Sequence, residues 1–93
     1  KSALLGLTKS WAKEFAPHHI TVNAIAPGGV MSQMAVEKDG LEAVQTRAKT
    51  VPLGRFGELH EYAAVVAFLC SDEAAFITGQ CIAPNGGQGI VGI

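Results

Sequence analysis

Two short stretches combine the residue types from which a ligand site is made. Thr21 to Met34 reads TVNAIAPGGVMSQM, an apolar run that stops at Pro27-Gly28-Gly29 and is followed by the hydroxyl of Ser32. A second apolar run, Gln80 to Pro84, leads directly into Asn85-Gly86-Gly87. Glycine has no Cβ, so its backbone can approach a ligand closely or take up a turn that other residues resist. For Pro27-Gly28-Gly29 with Ser32 the pattern favours ligand contact, whereas a plain turn is at least as good a reading of Gly86-Gly87. The other reactive side chains give no comparable signal. Cys70 and Cys81 lack C-x-x-C spacing, and His18, His19 and His60 have no partners at metal spacing. No metal site is expected, the histidines read as surface residues, and both cysteines read as buried thiols.

These stretches need elements to position them. From Ser2 to Ala16, Leu4, Leu7, Trp11 and Phe15 recur three or four apart while Lys9, Lys13 and Glu14 fall elsewhere, which predicts an amphipathic helix that Pro17 ends. No N-cap precedes Lys1, so the chain is expected to begin inside an element. Ile20 to Ala26 is β-branched and apolar on nearly every residue, as in a strand covered on both faces of a parallel sheet. Residues 31–56 carry a weaker helical pattern at Leu41, Val44, Ala48 and Val51, interrupted by Gly40 and closed by Pro52, and are expected to be mobile. A second helix is predicted from Glu58 to Cys70, with Tyr62, Val65, Val66 and Leu69 on one face. Gln80 to Pro84 reads as another strand, and Pro84 suits the end of an edge strand because it cannot donate to a ladder.

Strand, crossover with a helix, strand is one βαβ unit, for which a right-handed crossover is expected. The fold class is therefore α/β. Two strands do not make a doubly covered sheet, so the expected architecture is an incomplete portion of a larger domain. In open α/β sheets ligands bind outside the carboxyl ends of the strands, which puts both glycine stretches at the same edge.

Composition narrows the partners. A 93-residue chain is one domain at most, yet 48% of it is hydrophobic, more than so small an interior needs, which suggests packing against something else. Seven basic and eight acidic residues form no basic cluster, so neither nucleic acid nor anionic lipid is an expected partner. No apolar stretch is long enough for a membrane span and the start does not read as a secretory signal, which makes cytoplasmic localisation the expectation.

In order along the chain, KSALLGLTKSWAKEFAP, ITVNAIAPGGVMSQM, PLGRFGELHEYAAVVAFLCSDEAAFITGQ and NGG resemble the carboxyl-terminal part of the short-chain dehydrogenase/reductase family. Within it the pattern is most similar to the 3-oxoacyl-(acyl-carrier-protein) reductase branch. The match covers nearly all of the chain and loosens between residues 35 and 51. The resemblance implies that residues 1–93 are the carboxyl-terminal βαβ portion of a single doubly wound, Rossmann-type NAD(P)-binding domain. It also implies an NAD- or NADP-dependent oxidoreductase that interconverts a carbonyl and a secondary alcohol by hydride transfer, with a small-molecule substrate, an acyl thioester among the candidates. A homo-oligomer, dimer or tetramer, is implied for the full-length protein, with the first helix contributing to a helix-bundle interface.

By the same resemblance, Lys1 is the lysine of the family's Tyr-x-x-x-Lys motif. There it holds the nicotinamide ribose and lowers the pKa of a tyrosine four residues earlier, since a nearby cation favours phenolate over phenol. Pro27, Gly28, Val30 and Ser32 match the cofactor loop, with the Val30 backbone at the position that bonds the nicotinamide carboxamide. Ser32 stands where a threonine is usual and keeps the hydroxyl. Gln33 and Met34 fall at the substrate side, residues 33–56 match a substrate-covering lid, and Asn23 matches a structural strand asparagine. Leu59 and Pro84 depart from a common proline and a common aliphatic residue, and Pro84 is expected to weaken strand pairing between subunits.

The 93-residue chain alone is expected to be inactive, because the glycine-rich pyrophosphate turn and the tyrosine and serine of the family's mechanism lie outside it. The competing expectation is a non-catalytic interaction module that uses its strand edge and apolar helix face. A different nucleotide-binding fold is disfavoured, because neither a P-loop nor a G-x-G-x-x-G follows a strand.

Overall fold

The computed structural model describes residues 2–90. Lys1 lies outside the described residues, and with it the only residue of this chain assigned a catalytic role. The described chain divides into two compact units, one running to Ala26 and resuming at Ala64–Ile82, the other formed by Pro27–Ala63 and the residues from Ala83 on.

The first unit begins with helix α1, Ser2–Phe15. Pro17 halts it through a single 3-10 turn, Ala16–His18, and His19 closes that turn in the left-handed region at φ 59°, its N–H donating to Ala16 O. Helix α1 buries a different line from its apolar stripe. Thr8 and Ala12 are buried, whereas Leu4, Leu7 and Trp11 are 57%, 41% and 43% exposed and Phe15 is half-buried. The buried line, one turn apart, is made of small residues that let the helix backbone approach closely, and the Thr8 hydroxyl is satisfied by donating to Leu4 O at 2.8 Å. A Cβ added at Gly79 would lie 3.4 Å from that of Ala12, so the turn before the second strand packs directly on this line.

Strand β1, Ala24–Ile25, pairs in parallel with β2, Cys81–Ile82, in the register Ala24↔Cys81 and Ile25↔Ile82. Both are shorter than the runs Ile20–Ala26 and Gln80–Pro84. Regular strand extends only where the ladder does, from the Gly79 N–H donating to Val22 O through the Ala26 N–H donating to Ile82 O. Ile20 lies before the ladder and is half exposed. Asn23 ties the edge together: its Nδ2 donates to Ile77 O at 3.0 Å and its Oδ1 accepts from the Gln80 N–H at 3.1 Å. The Thr78 hydroxyl accepts from the Val22 N–H. Cys70 and Cys81 are both exposed free thiols, contrary to the expected burial: the described residues leave each of them open to solvent.

The second unit holds most of the crossover. Residues 31–56 form two short helices, α2 at Gln33–Asp39 and α3 at Leu41–Ala48, the second on the weak helical pattern read from the sequence. Gly40, at φ 86° and ψ 147°, makes the break in a region essentially reserved for glycine. Val44 is fully buried, with Ala48 and Val51 nearly so, and these three form the core of the unit. Leu41, at the front of the same sequence pattern, stays half exposed. Helix α4, Leu59–Leu69, falls within the predicted Glu58–Cys70 and buries none of its residues fully. The parallel pair joined by a helical crossover makes this an α/β fold, as the sequence pattern requires.

Candidate functional site

The carboxyl end of β1 runs into the loop Pro27–Ser32, and its backbone is held by the second unit. The Gly28 N–H donates to Pro84 O at 3.3 Å, so Pro84, which offers no N–H of its own, still extends the pairing through its carbonyl. Val30 and Gly57 form a parallel bridge in which the Gly57 N–H donates to Gly29 O at 3.0 Å and the Met31 N–H donates to Gly57 O at 2.9 Å. In such a bridge the bonds on one side belong to the residues flanking Val30. The N–H and C=O of Val30 itself therefore point away from Gly57, and among the described residues neither has a partner. A donor and an acceptor from one residue, side by side, match the donor and acceptor of a carboxamide.

The glycines of this loop are filled by protein. A Cβ at Gly28 would lie 2.9 Å from Asn85 Cα, and one at Gly29 would collide with the Phe56 ring. Their missing side chains thus allow close packing of chain on chain, while any ligand contact falls to the neighbouring peptide groups. Gly86 and Gly87 are closely packed too, an added Cβ falling 2.8 Å from Val51 Cγ1 at the first and 3.1 Å from Pro52 Cβ at the second, but they also have positive φ, 64° and 91°, and the Gly87 N–H donates to Asn85 Oδ1 in a turn.

Ser32 is the N-cap of α2: its Oγ accepts from the Ala35 N–H at 3.1 Å. Its own O–H remains available to donate. Gln33 donates to Glu37 Oε1 along the exposed face of α2, and Met34 is 76% exposed. Pro27, Gly28, Val30 and Ser32 thus lie on one continuous loop, with Gln33 and Met34 opening the helix that follows.

Sequence reasoning did not find the residues that hold this loop. The Tyr62 hydroxyl donates to Gly29 O at 2.7 Å. Arg55 pairs with both carboxylate oxygens of Glu61, at 2.7 and 2.9 Å, and also donates to Phe56 O. Glu61 Oε1 further accepts from the Glu58 N–H, the returning half of a capping box at the start of α4. The Arg55 bond, followed by that from the Glu58 N–H, holds the Glu61 carboxyl down at about 2, while the same pairing raises Arg55. The only available signals were the chain's single tyrosine and an Arg and a Glu six residues apart. Gly29, Val51, Leu53, Phe56, Tyr62 and Pro84 help line a cavity of about 120 Å³. That is well below the roughly 300 Å³ at which ligand pockets begin. Among the described residues no group of three or more His, Cys, Asp or Glu side chains is placed to hold a metal, and no helix is long and apolar enough to cross a membrane.

A parallel strand pair joined by helices, with glycine loops at the carboxyl ends, defines an open α/β type of domain, and comparison with known proteins makes the assignment specific. A family model described as enoyl-(acyl carrier protein) reductase matches residues 1–88. The 3-oxoacyl-(acyl-carrier-protein) reductase FabG of Thermotoga maritima is 47% identical over 87 residues, covering 94% of this chain and 35% of that protein. A short-chain dehydrogenase from Bacillus anthracis superposes over 100% of this chain and 36% of its own, with TM-score 0.82 and 39% identity. Cj0485 dehydrogenase reaches TM-score 0.91 at 35% identity, over 99% of this chain and 38% of its own. The chain belongs to the short-chain dehydrogenase/reductase family, and its fold is part of that family's Rossmann-type domain. It spans about a third of the length of the relatives it matches.

Proposed function

We propose that this chain supplies the nicotinamide-facing wall of an NAD- or NADP-dependent oxidoreductase that interconverts a carbonyl and a secondary alcohol, with a 3-oxoacyl thioester as the substrate class. The observation that carries the reading is the pair of outward, unpartnered amide groups of Val30. Residues 1–93 then form the carboxyl-terminal part of one Rossmann-type domain, with residues 33–56 as the substrate-covering segment. The Val30 C=O would accept from the carboxamide amino group and its N–H would donate to the carboxamide oxygen. The Ser32 hydroxyl donates beside it, while Pro27 and Gly28 shape the approach. When bound, the cofactor supplies or receives the hydride.

Lys1 has two roles in this reading: it holds the nicotinamide ribose, and its positive charge keeps a neighbouring tyrosine's phenolate accessible at neutral pH. Gln33 and Met34 face the substrate. The relatives' names support the acyl thioester, and the exposed Leu4, Leu7 and Trp11 support assembly into a homo-oligomer, for which a cytoplasmic location is proposed. The test is reduction of acetoacetyl thioesters by NADH and NADPH in the longer protein that carries this chain. Turnover is expected there, lowered roughly 10²- to 10⁴-fold by Lys1→Ala, and none from the 93-residue chain alone. A longer protein that oxidises neither cofactor, or a Lys1→Ala variant of full activity, overturns the reading.

The exposed apolar face of α1 also favours a second reading, a self-associating module without chemistry. A discrete oligomer of the 93-residue chain with one cooperative thermal transition would support it, whereas aggregation would support the enzyme.

A further inference from the structure

Tyr62 lies in the first turns of α4, and its hydroxyl shares one acceptor with the Gly57 N–H: both donate to Gly29 O, at 2.7 and 3.0 Å. That oxygen is one end of the peptide joining Gly29 to Val30. A peptide group is planar and trans, so its C=O and N–H point in opposite directions. Fixing Gly29 O therefore fixes the direction of the Val30 N–H. We infer that Tyr62 is a positioning residue for the Val30 amide, aiming a backbone donor at the cofactor carboxamide without touching the cofactor itself. The inference rests on the carboxamide reading of Val30.

The surroundings are built for this contact. A Cβ on Gly57 would lie 2.5 Å from Tyr62 Oη and 2.7 Å from its Cζ, so the ring occupies space that only glycine leaves free. Phe56 fills the corresponding space over Gly29, which keeps the loop from swinging toward the ring. The base of Tyr62 is steadied by Glu61, which is tied to Arg55 and to the Glu58 N–H. The Gly57 bond runs along the bridge, and the tyrosine adds a second donor to the same oxygen. With one donor the peptide can tilt about that bond, and with two its plane is set.

Tyr62→Phe removes the hydroxyl and keeps the ring. In the full-length protein carrying this chain, binding of NADH and NADPH is compared with binding of ADP-ribose and 2′-phospho-ADP-ribose, which contain no nicotinamide. The variant is expected to weaken the dinucleotide that the wild type prefers roughly three- to tenfold, the scale of one hydrogen bond, and to leave the matching fragment unchanged. No change in either, or an equal loss in both, overturns the role of Tyr62, the second outcome marking a general structural effect. A wild type that binds the dinucleotide no better than its fragment overturns the carboxamide reading of Val30, and the inference with it.

Discussion

The two compact units are stabilised by different means. The unit of α1, β1 and β2 buries small residues, Thr8, Ala12, Ala24 and Ala74, and leaves Leu4, Leu7, Trp11 and Phe76 exposed. The unit that carries the candidate site buries Val44, Ala48 and Val51 and secures its loop with rings laid over glycines and side chains bonded to backbone. Close approach organises the first, leaving its large apolar groups for other surfaces. Closure on itself organises the second, as the proposed aiming of the Val30 peptide would require.

Gly29→Ala should break the second unit most severely. The new Cβ displaces the Phe56 ring and with it the Val30–Gly57 bridge, at a cost of about 3 kcal/mol in denaturant unfolding. Adding Phe56→Ala should return part of that loss. A strictly additive double variant would mean that the ring is not what makes glycine necessary.

A smaller effect separates the units. Val44→Ala, at a site with no exposure, should cost about 2 kcal/mol of stability without changing the mass of the protein in solution. Trp11→Ala should do the reverse, lowering the assembly state by light scattering at dilute concentration. If Trp11→Ala lowers only the unfolding midpoint, the exposed face of α1 is not an interface and the contrast fails.

The smallest effect concerns Arg55 and Glu61. The Glu61 carboxyl is depressed to about 2 from an ordinary value of 4.5, so its contribution is present above the unfolded value and is lost as pH falls from there through about 2. The pair is open to solvent, so the gain is modest and salt-sensitive. Glu61→Gln should flatten the stability profile slightly in that acid window and leave it unchanged near neutrality. A large loss at pH 7 would show that the carboxylate's bond to the Glu58 N–H, which the amide can retain only in part, matters more than its charge.

Much of the fold was legible because its signals are local. Pro17 stops α1, Gly40 separates α2 from α3, and the β-branched run before Pro27 marks β1, each through the conformation of a single residue or the period of a few. The face that α1 buries was not legible. The period of Leu4, Leu7 and Trp11 locates an apolar stripe, but which side meets a neighbour depends on the neighbour, and in this unit the close contact is made by Ala12 with the Gly79 turn. The cysteines were misread for the same reason: average burial of a residue type says nothing about what packs over it. The candidate site divides in the same way. The Pro27–Ser32 loop stood out by its glycines, whereas Tyr62, Gly57 and the Arg55–Glu61 pair lie far from it along the chain and have no spacing that joins them to it.

The sequence by itself determined the α/β class and the family and singled out the loop proposed as a ligand site, because these follow from residue types in short, ordered patterns. Only the tertiary structure decided what the glycines of that loop are for. It placed Phe56 over Gly29, Asn85 against Gly28 and the Tyr62 hydroxyl on Gly29 O. The direction of the Val30 peptide is set by those contacts, each between residues more than 25 positions apart, and a chain fixes such contacts only when it folds.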